Sequence, residues 1–186
     1  MYFWLNLYQM KYLFFAFLLL PLFTLAQDCS LRNEKDQFNQ DPRLTTGFKS
    51  FGSGSDKFMV SVSADKNEMD IFFALENTGL CFNDVSRAII TYEGGKLRST
   101  YKNGGTSNCK GYFHFIFKNQ ENIPSNLNNL TSKKVLSIQF TASDNVTKKI
   151  LTLGPKDQDE LLSMATCLVN ELAKLRTDTW KPKPKQ

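Results

Sequence analysis

Along most of the chain apolar and polar residues alternate with a period of two, and only near the end does a helical period take over. Phe58, Val60, Val62 and Ala64 are separated by Met59, Ser61 and Ser63. After Asp65-Lys66-Asn67-Glu68, Met69, Ile71, Phe73 and Leu75 are separated by Asp70, Phe72 and Ala74. This alternation marks two half-buried strands joined by a polar turn. A second hairpin is predicted over Arg87–Tyr101, where Ala88, Ile90 and Tyr92 alternate with Arg87, Ile89 and Thr91. Its turn, Glu93-Gly94-Gly95-Lys96, supplies the glycines that a tight hairpin needs. Gly111–Lys118 is the most apolar strand, with Phe113, Phe115 and Phe117 on one face and Tyr112, His114 and Ile116 on the other. It is expected at the centre of the core. Glu121–Leu130, containing Pro124, reads as a loop. A third hairpin joins Lys134–Ala142 to Thr147–Leu153 through Ser143-Asp144-Asn145.

Over residues 156–176 the pattern predicts a helix, with Leu161, Ala165, Leu168, Leu172 and Leu175 forming one stripe. Asp157 is the expected N-cap, with Glu160 completing a capping box. Upstream, residues 27–46 are polar and read as an irregular N-terminal arm lying over the domain. Gly47–Asp56 is a Gly/Ser-rich approach to the first strand. Residues 178–186 form a Pro/Lys tail expected to be disordered. Successive hairpins followed by one helix imply an α+β, mainly β fold: an antiparallel sheet or sandwich of six to seven strands with a C-terminal amphipathic helix.

The first 26 residues differ in kind. Lys11 precedes an apolar run from Tyr12 to Phe23, and Thr24-Leu25-Ala26 supplies small residues before Gln27. These are the parts of a cleavable secretory signal, with the cut expected after Ala26. Met10 makes a more compact start for that signal than Met1. The run is short for a spanning helix and contains Pro21, so no stable membrane span is expected after cleavage. The remainder of the 186-residue chain suits one domain, residues 47–177. A secreted or periplasmic destination follows.

That compartment changes the reading of the cysteines. Cys29, Cys81, Cys109 and Cys167 all lie beyond the signal, and an even count in an exported chain favours disulfides. Cys81 and Cys109 both precede apolar strands, and their pairing is expected. Cys29 in the arm is expected to pair with Cys167, which the helical wheel places on the helix flank.

Charge adds little: 23 basic against 18 acidic residues, of mixed sign along the strands. No nucleic-acid partner is implied.

Catalytic, metal and cofactor motifs are not found. His114 is the only histidine and reads as a surface or half-buried strand residue. Gly52–Lys57 lacks phosphate-loop spacing. Asp65, Asn67 and Asp70 lack the pattern of a calcium loop and read as turn residues. Asp70 and Glu76 share a strand face but lie about 20 Å apart, too far for a glycosidase pair. Asn129-Leu130-Thr131 and Asn145-Val146-Thr147 fit the glycosylation pattern, which the bacterial look of the signal makes a chance match.

The signal ending Thr24-Leu25-Ala26-Gln27, the approach Ser53-Gly54-Ser55, the hairpin with Tyr92-Glu93-Gly94-Gly95 and the final helix with Leu161-Leu162 together resemble a loosely defined group of small exported bacterial β-rich proteins of unknown function. The resemblance implies an antiparallel β fold with a terminal helix and carries no catalytic residues. The expectation is an exported, non-enzymatic binding or envelope-associated module, its partner an envelope or extracellular protein or a glycan. Tyr92, Tyr101 and Tyr112 are the candidate contact residues. The alternative is a small exported hydrolase or thiol-dependent enzyme with a site assembled across strands.

Overall fold

The computed structural model describes residues 30–35, 41–75 and 78–177. The expected signal, Cys29, Glu76 and the tail lie outside the described residues. Among the described residues the fold is α+β and mainly β, with ten strands in two antiparallel sheets and a long C-terminal helix. Strands β1 (Arg32–Lys35), β2 (Pro42–Thr45), β3 (Lys49–Phe51), β4 (Phe58–Ala64), β5 (Glu68–Leu75) and β8 (Tyr112–Lys118) form the larger sheet. Its order is β1-β2-β4-β5-β8, with β3 also pairing β4. Strands β6 (Arg87–Tyr92), β7 (Arg98–Lys102), β9 (Val135–Thr141) and β10 (Lys148–Thr152) form the smaller sheet, ordered β10-β9-β6-β7. All three expected hairpins form: β4–β5, β6–β7 and β9–β10.

The apolar faces of the two sheets share one core. Phe73 and Phe113 of the larger sheet pack on Phe140 of the smaller, with ring centroids 5.6 and 5.2 Å apart. Tyr101 of β7 stacks on Phe115 of β8 at 4.4 Å. Phe113, Phe115 and Phe117 are all buried. Strand β8 is the last in the order of the larger sheet; Tyr101 of the facing β7 packs on Phe115 and Phe117, and Phe113 packs on Phe82 and Phe140. Helix α2 (Pro155–Arg176) contacts β2 and β4 of one sheet and β9 of the other. All five residues of its expected stripe are buried, joined by Met164 and Cys167.

Several elements depart from the sequence reading. Arg32–Lys35 and Pro42–Thr45, expected in an irregular arm, are strands β1 and β2. Every residue of β1 is exposed, so it has no apolar alternation to reveal it. Lys49–Phe51, in the Gly/Ser-rich approach, pairs with β4 as β3, and with β1 and β2 raises the count above six to seven. The expected loop at 121–130 contains helix α1, Ser125–Ser132. It presents only Leu127 and Leu130 to the core, and its three asparagines are weak helix formers, so packing on α2 stabilises it.

The cap of α2 is Gly154, not Asp157, with Pro155 at the first helical position, where its missing N–H costs nothing. Asp157 instead accepts a 3.0 Å hydrogen bond from the Gly52 amide, and Glu160 lies 3.4 Å from Lys49. The would-be capping box therefore holds the β3 segment onto the helix. Cys167 is buried.

Cys81 and Cys109 form the expected disulfide across 28 residues. Beside it Phe82 and Asn108 exchange both backbone hydrogen bonds, at 2.7 and 2.9 Å. Cys167 is also disulfide-bonded; its expected partner, Cys29, is outside the described residues.

Candidate functional site

Tyr92 and Tyr101, two of the three expected contact residues, belong to the core. Both lie on the inward side of the β6–β7 hairpin with Ala88, which pairs with Tyr101. Buried phenols need partners. Their hydroxyls bond each other at 2.8 Å, and the Tyr101 hydroxyl donates to the Asn126 carbonyl of α1, also at 2.8 Å. Burial raises the pKa of both phenols above the ordinary value of 10.0. Only Tyr112 is exposed.

The polar face of the larger sheet carries the site. Period-two alternation turns Asp70 and Phe72 outward on β5, Ser61 and Ser63 on β4, and Arg43 and Thr45 on β2. The pairings align these residues across the strands. One row runs Arg32, Thr45, Ser63, Asp70 and Ile116, and the next runs Ser61, Phe72 and His114. All of these but Ile116 line a groove of about 400 Å³, together with Glu34, Arg43, Gly47 and Phe48. Its volume falls in the range of small-molecule sites, about 300–1,000 Å³.

The floor is made of hydroxyls. Thr45, Ser61 and Ser63 are buried although they face outward. Thr45 and Ser61 lie 3.4 Å apart, and Arg43 donates to Ser63 at 2.7 Å. Arg32 and Arg43 are diagonal neighbours across β1 and β2, with about 7–8 Å between such positions. Among the described residues neither guanidinium forms an ion pair.

One wall is aromatic. Phe72 has its centroid 5.6 Å from Phe48, 5.3 Å from Tyr112 and 4.6 Å from His114. Phe48 is 59% exposed.

His114 is more than the bland strand residue that its isolation in the sequence suggests. Its Nδ1 lies 2.9 Å from Asp70 Oδ2. Asp70 Oδ1 is buried with no hydrogen-bond partner among the described residues. A buried polar atom left unpaired costs about 1–3 kcal/mol. The backbone around His114 is fixed from the open edge of β8. Its amide donates to Asn103 Oδ1 and its carbonyl accepts from the Gly104 amide, both at 3.0 Å. Close approach of this loop requires glycine: a Cβ on Gly105 would lie 2.3 Å from His114 Cδ2.

An Asp–His pair is half of a nucleophilic triad, and outward serines lie on the same face. The register separates them. Ser61 is two strands from His114, about 9–10 Å, with Phe72 between. Ser63 is held by Arg43. Cys81, Cys109 and Cys167 are oxidised. Among the described residues no group of three or more His, Cys, Asp or Glu is placed to hold a metal ion. Asp65 caps its turn, accepting from the amides of Asn67 and Glu68. Among the described residues no helix is long and apolar enough to cross a membrane.

No protein-family model, curated protein or solved structure matches the chain.

Proposed function

We propose that this is an exported, non-enzymatic binding protein and that the groove on the polar face of the larger sheet seats its ligand. The observation that supports this best is the gathering of two guanidiniums, two carboxylates, buried hydroxyls and an aromatic wall around one cavity, with Ser61 two strands from His114 and Ser63 held by Arg43. The leader supports export to the periplasm or the exterior, as do the oxidised cysteines and the resemblance to small exported bacterial proteins.

The test is NMR of the mature chain titrated with protein and polysaccharide fractions of the envelope and medium. Shifts confined to Phe48, Phe72 and His114, and abolished by Arg43→Gln, are expected. Shifts elsewhere, or none with any fraction, refute the assignment. The Asp70–His114 pair favours a second reading, a hydrolase using His114 as general base. That reading requires a hydrolytic activity of the mature chain that His114→Ala removes.

A further inference from the structure

Resting on the groove as the ligand seat, we infer that its ligand is an acidic sugar, a pyranose unit bearing a carboxylate within an extracellular or envelope polysaccharide. Each wall asks for a different part of such a molecule. Arg32 and Arg43 offer guanidinium forks, neither ion-paired among the described residues, and a planar carboxylate matches that fork geometry. Glu34 and Asp70 line the same cavity and accept from hydroxyl donors. The floor of Thr45, Ser61 and Ser63 hydroxyls both donates and accepts. Phe48 and Phe72 present ring surface on which the C–H face of a sugar ring stacks.

The mixed signs discriminate among anions. A polyphosphate or nucleic-acid strand brings charge and acceptors to every position and meets two carboxylates with few donors to satisfy them. An acidic peptide can bond the hydroxyl floor through its backbone, but it brings several carboxylates to a groove that already holds Glu34 and Asp70, and it offers Phe48 and Phe72 no sugar-ring face. A uronate combines one anionic group, several hydroxyl donors and an apolar ring face.

The test is calorimetry of the mature chain with tetramers of galacturonate, glucuronate and mannuronate, beside maltotetraose, tetraglutamate and a short oligodeoxynucleotide. Binding of at least one uronate tetramer, tenfold or more tighter than any of the three comparators, is expected. Arg43→Gln and Phe48→Ala should each weaken it tenfold or more. Both side chains reach solvent, and an unchanged Tm verifies that the variants fold. Equal binding of maltotetraose, tetraglutamate or the oligonucleotide overturns the inference, as does failure of all three uronates. If the uronates fail while an envelope or medium fraction still shifts Phe48 and His114, only the sugar class falls. If no fraction shifts them, the binding groove itself falls.

Discussion

Asn119 shows how much one buried side chain can connect. Its amide group donates to the carbonyls of Asp65, in the β4–β5 turn, and Leu172, in α2, at 3.0 and 3.2 Å. Its Oδ1 accepts from Arg176 at 2.9 Å. Asn119→Ala removes the bonds to the buried Leu172 carbonyl and the part-buried Asp65 carbonyl and should cost about 1–3 kcal/mol, read as a lower urea midpoint at unchanged m-value. Phe115→Ala should cost more, about 3–5 kcal/mol, because it opens a void between β8 and the Tyr101 ring. A melting curve for Phe115→Ala near that of the wild type would contradict the packing of the two sheets. His114 poses the opposite case. Its outward position was legible from alternation with three phenylalanines, yet its partner was not. Asp70 lies 44 residues earlier, and only the pairing of β5 with β8 unites them.

Among elements, those with local pairing were the easiest to read. The three hairpins follow from period-two alternation broken by polar turns, and α2 from a stripe of five apolar positions. Strands β1 and β2 and helix α1 lack such a signal: their sequences are polar, and neighbours already in place hold them. The groove inherits this difficulty because β1 and β2 supply Arg32, Glu34, Arg43 and Thr45. Strand β8 raises a separate question of edge protection. An exposed edge invites pairing with other chains, and here the Asn103–Gly105 loop occupies it. Asn103→Ala should remove the acceptor for the His114 amide. Hydrogen exchange at that amide should accelerate at least tenfold while the amides of β9 keep their protection. Unchanged exchange at His114 would show that the loop does not guard this edge.

For the whole molecule, the phenol pair sets an alkaline limit. Tyr92 and Tyr101 ionise above the ordinary value of 10.0 in the folded state, chiefly through burial. Groups with raised folded pKa values contribute stability that is complete below the unfolded value and lost as pH rises through the folded one. Unfolding should therefore become progressively easier above about pH 10. Phenolate absorbance from these two residues should appear together with loss of near-ultraviolet circular dichroism. Phenolate from both residues in a fully folded molecule near pH 10 would disprove their burial.

The Cys81–Cys109 bridge spans the route the chain takes between β5, which ends at Leu75, and β8, which begins at Tyr112. Everything inside the bridge is the β6–β7 hairpin and its flanking turns, a detour into the other sheet. Joining β5 to β8 without the crosslink means first confining that detour, an entropic toll of roughly 3–4 kcal/mol for a loop of this length. Once oxidised, the chain searches for this long-range contact from a shortened tether, and encounters dominated by such contacts are the slow ones in folding. A Cys81→Ala/Cys109→Ala double variant should thus refold markedly more slowly than the oxidised parent, because the β5–β8 pairing that brings Asp70 to His114 must then close an untethered loop.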